Sequence, residues 1–88
     1  MGRVVVKRPG SKLLDVEVRE TENGLEVTVS GDFFAFPEDS IARLEECLRG
    51  VSREELRERL RECVPRDAEL VGVSWSDVAE AVLRAASG

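Results

Sequence analysis

Alternation between hydrophobic and polar residues in the first third of the chain predicts a small antiparallel sheet. Apolar and charged side chains alternate with a period of two in residues 13–19 and again in residues 25–30, which is typical of half-buried strands. Between these segments lies Asn23-Gly24, a strong signal for a tight hairpin. Residues 3–7 contain three consecutive β-branched valines and predict a short edge strand. Because one face of this sheet is apolar and the other is charged, we expect it to be covered on one side only.

The rest of the chain changes to the spacing of amphipathic helices. Pro37 is predicted at the first position of the first helix, with Glu38 complementing the positive end of that helix. Capping boxes at residues 52–55 and 74–77 predict the starts of two further helices, and residues 69–73 predict a short extended segment. The expected fold class is therefore α+β, with a three-stranded antiparallel sheet (an N-terminal meander) covered on one face by three helices.

Composition narrows the functions that this chain could have. It has 88 residues and a net charge of −5, so it lacks the basic character of nucleic-acid-binding domains. It contains no histidine, and its two cysteines have no C-x-x-C spacing, so neither the commonest general base nor a zinc site is indicated. No apolar run is long enough to span a membrane, and residues 1–7 lack the features of a signal peptide. We therefore expect one cytoplasmic domain over residues 1–88, with no catalytic or metal-binding residues of its own.

The two cysteines lie on the apolar stripes of the first two predicted helices. Buried, unreactive thiols are the expected state of Cys47 and Cys63. The alternative is a disulfide that joins the two helices, which intracellular proteins of hyperthermophiles do contain. Abundant charge and scarce amides are compatible with a thermophile, although a GC-rich genome would also favour arginine over lysine.

Residues 31–38 are the most informative stretch, because they hold three of the four aromatic residues of the chain. We expect at least two of these phenylalanines to fill the seam between sheet and helices. Since adjacent residues of an extended chain face opposite ways, Phe33 and Phe34 cannot both point inward, and one is left for a rim or a partner surface. Asp32 is expected either to cap a helix or to act as a functional carboxylate.

The turn at residues 10–12 is a weaker candidate. Backbone amides at a glycine turn, followed by Lys12, are able to hold a phosphate. The complete phosphate-loop pattern is absent and no helix follows. A turn between strands with a solvated lysine is therefore the favoured interpretation.

The residues examined so far resemble one known family, the accessory domain of lipoate–protein ligase. The resemblance rests on Pro-Gly-Ser-Lys-Leu-Leu-Asp-Val-Glu-Val at residues 9–18, Asn-Gly at 23–24, Ser-Gly-Asp-Phe-Phe-Ala-Phe-Pro-Glu at 30–38 and Leu-Arg-Gly at 48–50. It covers nearly the whole chain, and the stretch at 30–38 is its most specific part. Bacteria often fuse this domain to the catalytic domain, whereas some archaea encode it separately. A chain that begins at Met1 and holds this domain alone resembles the separate subunit.

The resemblance implies a non-catalytic accessory subunit that is required, with a separate catalytic large subunit, for ATP-dependent activation of lipoate to lipoyl-adenylate. ATP and lipoate, with magnesium, are then expected in the complex and not on this chain alone. Lipoyl carrier domains are reached through the complex. Such a subunit acts by closing over a pocket and excluding water. The candidate contacts with the partner or the adenylate are Lys12, Gly31, Asp32, Phe33, Phe34, Pro37 and Glu38.

The predicted order of elements also resembles the fold of U-type iron–sulfur scaffold proteins. Those scaffolds carry cysteines where this chain has residues 31–34 and 73–75, which contain none. Because an iron–sulfur cluster requires thiolate ligands, this resemblance extends to shape only. A scaffold or sulfur-handling protein, and an unrelated α+β interaction module, are the alternative functions.

Overall fold

The predicted meander forms the centre of the molecule. In the computed structural model, which describes residues 2–7 and 9–87, strands β1 (Gly2–Val6), β2 (Leu14–Thr21) and β3 (Gly24–Gly31) pair antiparallel in the order β1-β2-β3. Val16 lies opposite both Val4 and Val29, so apolar residues of neighbouring strands share one face. This part of the fold confirms the interpretation of the period-two alternation.

The hairpin between β2 and β3 is tight, as the Asn-Gly signal predicts. Thr21 pairs with Gly24, so Glu22 and Asn23 form the loop, and the turn lies one residue earlier than Asn-Gly at its centre would place it. Gly24 opens β3 at a φ of 114°, and a Cβ there would overlap the backbone of Gly50. Glycine is required at this position because no side chain fits between the hairpin and the chain that crosses it.

Three helices cover the apolar face of the sheet, as expected. Helix α3 (Trp75–Ser87) packs against β1 and β2, helix α1 (Ser40–Leu48) packs against β3, and helix α2 (Leu56–Cys63) packs against the other two helices. The side chains that meet in this core are Leu14, Val16, Val18, Leu25, Val27, Val29, Leu44, Leu48, Val51, Leu56, Leu60, Cys63, Val78, Ala81, Val82, Ala85 and Ala86. Burial of this apolar surface is the main term that stabilises the domain.

A second, two-stranded sheet was not predicted. Residues 31–36 were expected only to leave the first sheet, but strand β4 (Phe34–Phe36) pairs antiparallel with strand β5 (Glu69–Val71). The expected extended segment at 69–73 is therefore half of a strand pair. A three-residue strand is too short to show alternation, and its partner lies far along the chain, so the pairing has no local signal.

Two predicted helix starts are wrong and one is right. Helix α1 begins at Ser40 and not at Pro37: a cis peptide precedes the proline, and its carbonyl accepts a hydrogen bond from the Ser40 amide at 3.1 Å in a turn before the helix. At residues 52–55 only half of the box forms: the Ser52 hydroxyl accepts from the Glu55 amide in a turn and donates to the Glu55 carboxylate, and α2 becomes helical only afterwards. The box at residues 74–77 is made in full at the start of α3.

The expectation of two buried, free thiols is also wrong. Cys47 and Cys63 form a disulfide between α1 and α2, with their Cα atoms 5.6 Å apart. Cys63 is buried, but Cys47 is exposed. The apolar stripe was therefore predicted correctly for Cys63 and wrongly for Cys47, and the structure shows the alternative interpretation of the cysteines, a disulfide that joins the two helices.

Candidate interface on the second sheet

The second sheet presents apolar side chains to solvent. Phe34, Phe36 and Val71 lie on its outward side and are 58%, 54% and 48% exposed, whereas Ala35 and Leu70 face the core side. Phe34 pairs directly with Val71. We call Phe34, Phe36 and Val71 the aromatic face. Large apolar side chains that gather on one exposed surface mark an interaction site.

The aromatic face corrects the expectation for the phenylalanines. Phe33 alone packs against the core, so one phenylalanine fills the seam and two are exposed. Pairing of β4 with β5 fixes this outcome, because residues 34 and 36 of a strand share one side and residue 35 takes the other. Ala35, a small side chain, occupies the inward position.

Asp32 and Lys12 lie on neighbouring segments beside the aromatic face. The Asp32 carboxylate accepts a hydrogen bond from the Leu13 amide at 2.7 Å, and the Lys12 amide donates one to the Gly72 carbonyl at 3.0 Å. A Cβ on Gly72 would overlap the aliphatic stem of the Lys12 side chain, which lies against it. Asp32 therefore caps no helix; it fixes the turn that carries Lys12 onto the end of β5.

Gly31 is needed where these segments converge. A Cβ at this residue would overlap the Leu13 carbonyl and lie 2.9 Å from the Phe33 ring. Pro37 and Glu38 are exposed at the opposite end of β4. The seven candidate residues thus lie around one short strand, with Phe33 turned inward.

Polar contacts hold the second sheet in place. Arg43 on α1 pairs with Asp67 at 3.2 Å, and the Trp75 indole N–H donates to the Ala68 carbonyl at 3.2 Å, just before β5. The hydrogen bond from the Arg43 guanidinium holds the pKa of the Asp67 carboxyl below its usual value. These contacts precede β5 and the hydrogen bond from the Lys12 amide to the Gly72 carbonyl follows it, so the aromatic face is formed before any partner arrives.

Sequence reasoning missed two members of the aromatic face. Phe36 has a usable signal, since it shares the period of two with Phe34 once that segment is taken as a strand. Val71 has none, because its place beside Phe34 depends on pairing between segments that are distant in sequence.

The described residues offer little else for chemistry. No cluster of three or more histidine, cysteine or acidic side chains suited to a metal ion is found within residues 2–7 and 9–87. Both sulfurs are bonded to each other and supply no thiolate to an iron–sulfur cluster. Among the described helices, none has both the length and the apolar character of a membrane span.

Comparison with known proteins identifies similar chains from one source. The chain is 42% identical over 80 residues to lipoate-protein ligase A subunit 2 of Thermoplasma acidophilum, which covers 91% of this chain and 73% of that protein. It also superposes, with a TM-score of 0.68 and 32% identity, on a chain from the structure of an archaeal lipoylation system, a bi-partite lipoate protein ligase and its E2 lipoyl domain from the same organism. That match covers 90% of this chain and 94% of the other. No model in the scan of protein families matches.

Proposed function

Because the chain belongs to the family of lipoate-protein ligase A subunit 2, we propose that it is the accessory subunit of a two-part lipoate–protein ligase. In this role it has no catalytic residues of its own. It is required, together with a separate catalytic subunit, for the ATP-dependent conversion of lipoate to lipoyl-adenylate. The adenylate then serves the lipoylation of carrier domains by the complex.

The aromatic face is the observation that supports docking onto the catalytic subunit. Exposed phenylalanines on a fixed strand are suited to act as anchors, because aromatic side chains carry much of the binding free energy of protein interfaces. The aliphatic stem of Lys12 lies against Gly72, directly after β5, so this lysine extends from the edge of the face. We propose that Phe34, Phe36 and Val71 make the apolar contact and that Lys12 lies toward the nucleotide.

Closure is the mechanism that fits a small subunit of this kind. By covering a pocket of its partner, it excludes water and orders the partner's loops around the reacting groups. ATP, lipoate and magnesium belong to the complex in this proposal, and the protein works in the cytoplasm. The disulfide between two helices fits a thermophilic source, with which the composition is also compatible.

Reconstitution tests the proposal. Purified chain, catalytic subunit from the same organism, lipoate and ATP are combined, and lipoyl-adenylate is measured by mass spectrometry. We expect product only when both proteins are present. Full activity of the catalytic subunit alone, or turnover by this chain alone, would contradict the accessory role.

Variants of the aromatic face test the docking surface separately. Phe34→Ser with Phe36→Ser is expected to reduce complex formation and adenylate yield together, by about 100-fold, the effect of removing two interface anchors. Thr28→Ala, an exposed residue on the first sheet, serves as the control and is expected to change neither. If the double variant binds normally while the reconstituted wild type is active, the subunit docks through another surface.

A further inference from the structure

A second candidate surface lies between α2 and α3, away from the aromatic face. A groove of about 320 Å³ runs between these helices, with an apolar floor. Its floor is formed by Leu60, Val64, Trp75, Ala79 and Leu83. Trp75, Ala79 and Leu83 recur every four residues and so form one stripe along α3. The other end of the groove continues along α3 past Ser76 toward Ser87.

Arginines form the rim of this groove on the α2 side. Arg57 and Arg61 are separated by one helical turn and both line it, and Arg84 lines its continuation. Arg57, Arg61 and Arg84 form no hydrogen bond or ion pair among the residues that the structure describes. By contrast, Arg59, on the opposite flank of α2, donates to the Cys47 carbonyl at 3.2 Å. The groove therefore collects guanidinium groups that the fold itself does not use.

The charge on this rim is opposite to that of the whole molecule. The chain has a net charge of −5, yet three arginines face the groove against one carboxylate, that of Glu80. Unpaired guanidinium groups beside an apolar floor complement carboxylates on an apolar surface. The occupant that matches this arrangement is acidic and amphipathic.

The shape of the groove favours a protein segment over a small molecule. Helix α3 has 13 residues and is therefore about 20 Å long, enough to lie beside several turns of another helix. Ligand pockets enclose most of the ligand surface, whereas four of the five floor residues here are only partly buried along an open groove. An amphipathic helix that lays its apolar side between two helices is a known mode of recognition.

We propose that the α2–α3 groove binds an acidic amphipathic helix of a partner protein, with Leu, Ile or Val on the floor and Glu or Asp against Arg57 and Arg61. This surface is distinct from the aromatic face, because Phe34, Phe36 and Val71 do not line it. The subunit then carries two docking sites, one aromatic and one basic.

The single tryptophan of the chain reports directly on the groove, because Trp75 lines it. The probe is a tryptophan-free helical peptide with a leucine ridge flanked by glutamates four residues apart, and its control has lysines in place of the glutamates. Titrated into the full chain, the acidic peptide is expected to give a saturable blue shift of tryptophan emission that weakens with added salt. The lysine peptide is expected to give no shift.

Matched variants locate the binding. Arg61→Glu is expected to weaken binding of the acidic peptide at least 10-fold. Arg66→Glu, at an exposed position outside the groove, is expected to leave the affinity for the peptide unchanged. Ala79→Phe, which fills the floor without changing charge, is expected to weaken it as well. Circular dichroism and melting curves verify that each variant is folded.

Two outcomes would overturn the proposal. The first is an acidic peptide that binds Arg61→Glu and Arg66→Glu equally, or does not shift tryptophan emission at all. The second is a saturable shift by octanoate, lost in Arg61→Glu, without any response to the peptide. That result would make the groove a site for a small fatty acid.

Discussion

The two antiparallel strand pairs β2–β3 and β4–β5 share a geometry but differ in what they present to solvent. The outward side of β2–β3 carries charged residues that pair with each other: Arg19 lies directly opposite Glu26 and bonds to it. The outward side of β4–β5 carries the aromatic face. Both pairs turn apolar residues toward the core, so burial alone does not distinguish them.

The difference lies in whether the outward groups are satisfied. Charged groups on β2–β3 are solvated or paired and require no partner, and such surface pairs contribute little free energy. Exposed phenylalanines leave apolar surface in water, which association removes. The first strand pair is therefore the framework of the domain, and the second is the contact surface that we propose.

The largest expected effects are a loss of stability from a substitution in β2–β3 and a loss of partner binding from a substitution in β4–β5. Leu14→Ala, in the fully buried row of β2, is expected to lower the free energy of unfolding by about 2–5 kcal/mol, since it leaves a cavity. Phe36→Ala, at a side chain 54% exposed, is expected to cost under about 1 kcal/mol but to weaken binding of the catalytic subunit by roughly 30-fold. Chemical denaturation and titration calorimetry measure the two quantities.

The comparison fails if these effects do not separate. A Phe36→Ala variant that melts as low as Leu14→Ala would assign this phenylalanine to the core. A folded Leu14→Ala variant that no longer binds would show that the first sheet itself forms the contact. Val27→Ala, a second buried position on the neighbouring strand, provides a matched control for the framework.

The sequence was sufficient where periodicity extends over several residues. The meander could be predicted because β2 and β3 are each eight residues long and bury every second side chain. The box at residues 74–77 was predictable because its partners are three residues apart. Residues 52–55 show the limit of such signals, since a serine and a glutamate at the same spacing also close a turn that precedes a helix.

The candidate site was predictable in place but not in arrangement. Residues 31–38 stand out by their aromatic composition, and the sequence offers Asp32 and Lys12 as two separate candidates with nothing to link them. What joins them is a hydrogen bond from Leu13 to Asp32, 19 residues apart, and the contact of Lys12 with Gly72. These contacts depend on how distant segments meet, so no local pattern contains them.

The disulfide offers a second way to separate stability from binding, because it joins α1 and α2 and lies outside the aromatic face. Replacing Cys47 by Ser and Cys63 by Ala removes a link that closes a loop over a sequence separation of 16 residues. In the chain-entropy model, closing a loop of this size stabilises the folded state by about 3 kcal/mol. We expect a melting temperature lower by roughly 10–20 °C, measured by calorimetry.

Reduction of the wild-type protein provides the control for this prediction. It should reproduce the fall in melting temperature seen in the double variant and leave the double variant itself unchanged. Binding of the catalytic subunit by the folded fraction should persist, because neither cysteine belongs to the aromatic face. A loss of binding without a loss of stability would place the helical layer in the interface.

The smallest effect concerns the charged side of the framework and depends on pH. The Asp15 carboxylate accepts two hydrogen bonds from Arg3, at 2.6 and 3.0 Å. Because of these bonds, the Arg3 guanidinium holds the pKa of Asp15 below its usual value. A carboxyl whose pKa is lower in the folded state stabilises the protein at pH above its unfolded pKa. That contribution disappears as the pH falls through the lowered folded value.

Asp15→Asn should therefore melt slightly below the wild type at neutral pH, and the gap should close as the pH falls below about 4. Glu22→Gln, at an exposed loop carboxylate without an ion pair among the described residues, is the matched control and should not change the melting temperature. A gap that is equal at pH 7 and pH 3 would mean that Asp15 contributes through its shape and not through its charge. Because Asp15 lies on β2 and not on the aromatic face, Asp15→Asn should bind the catalytic subunit as tightly as the wild type at pH 7, and that independence separates the two strand pairs.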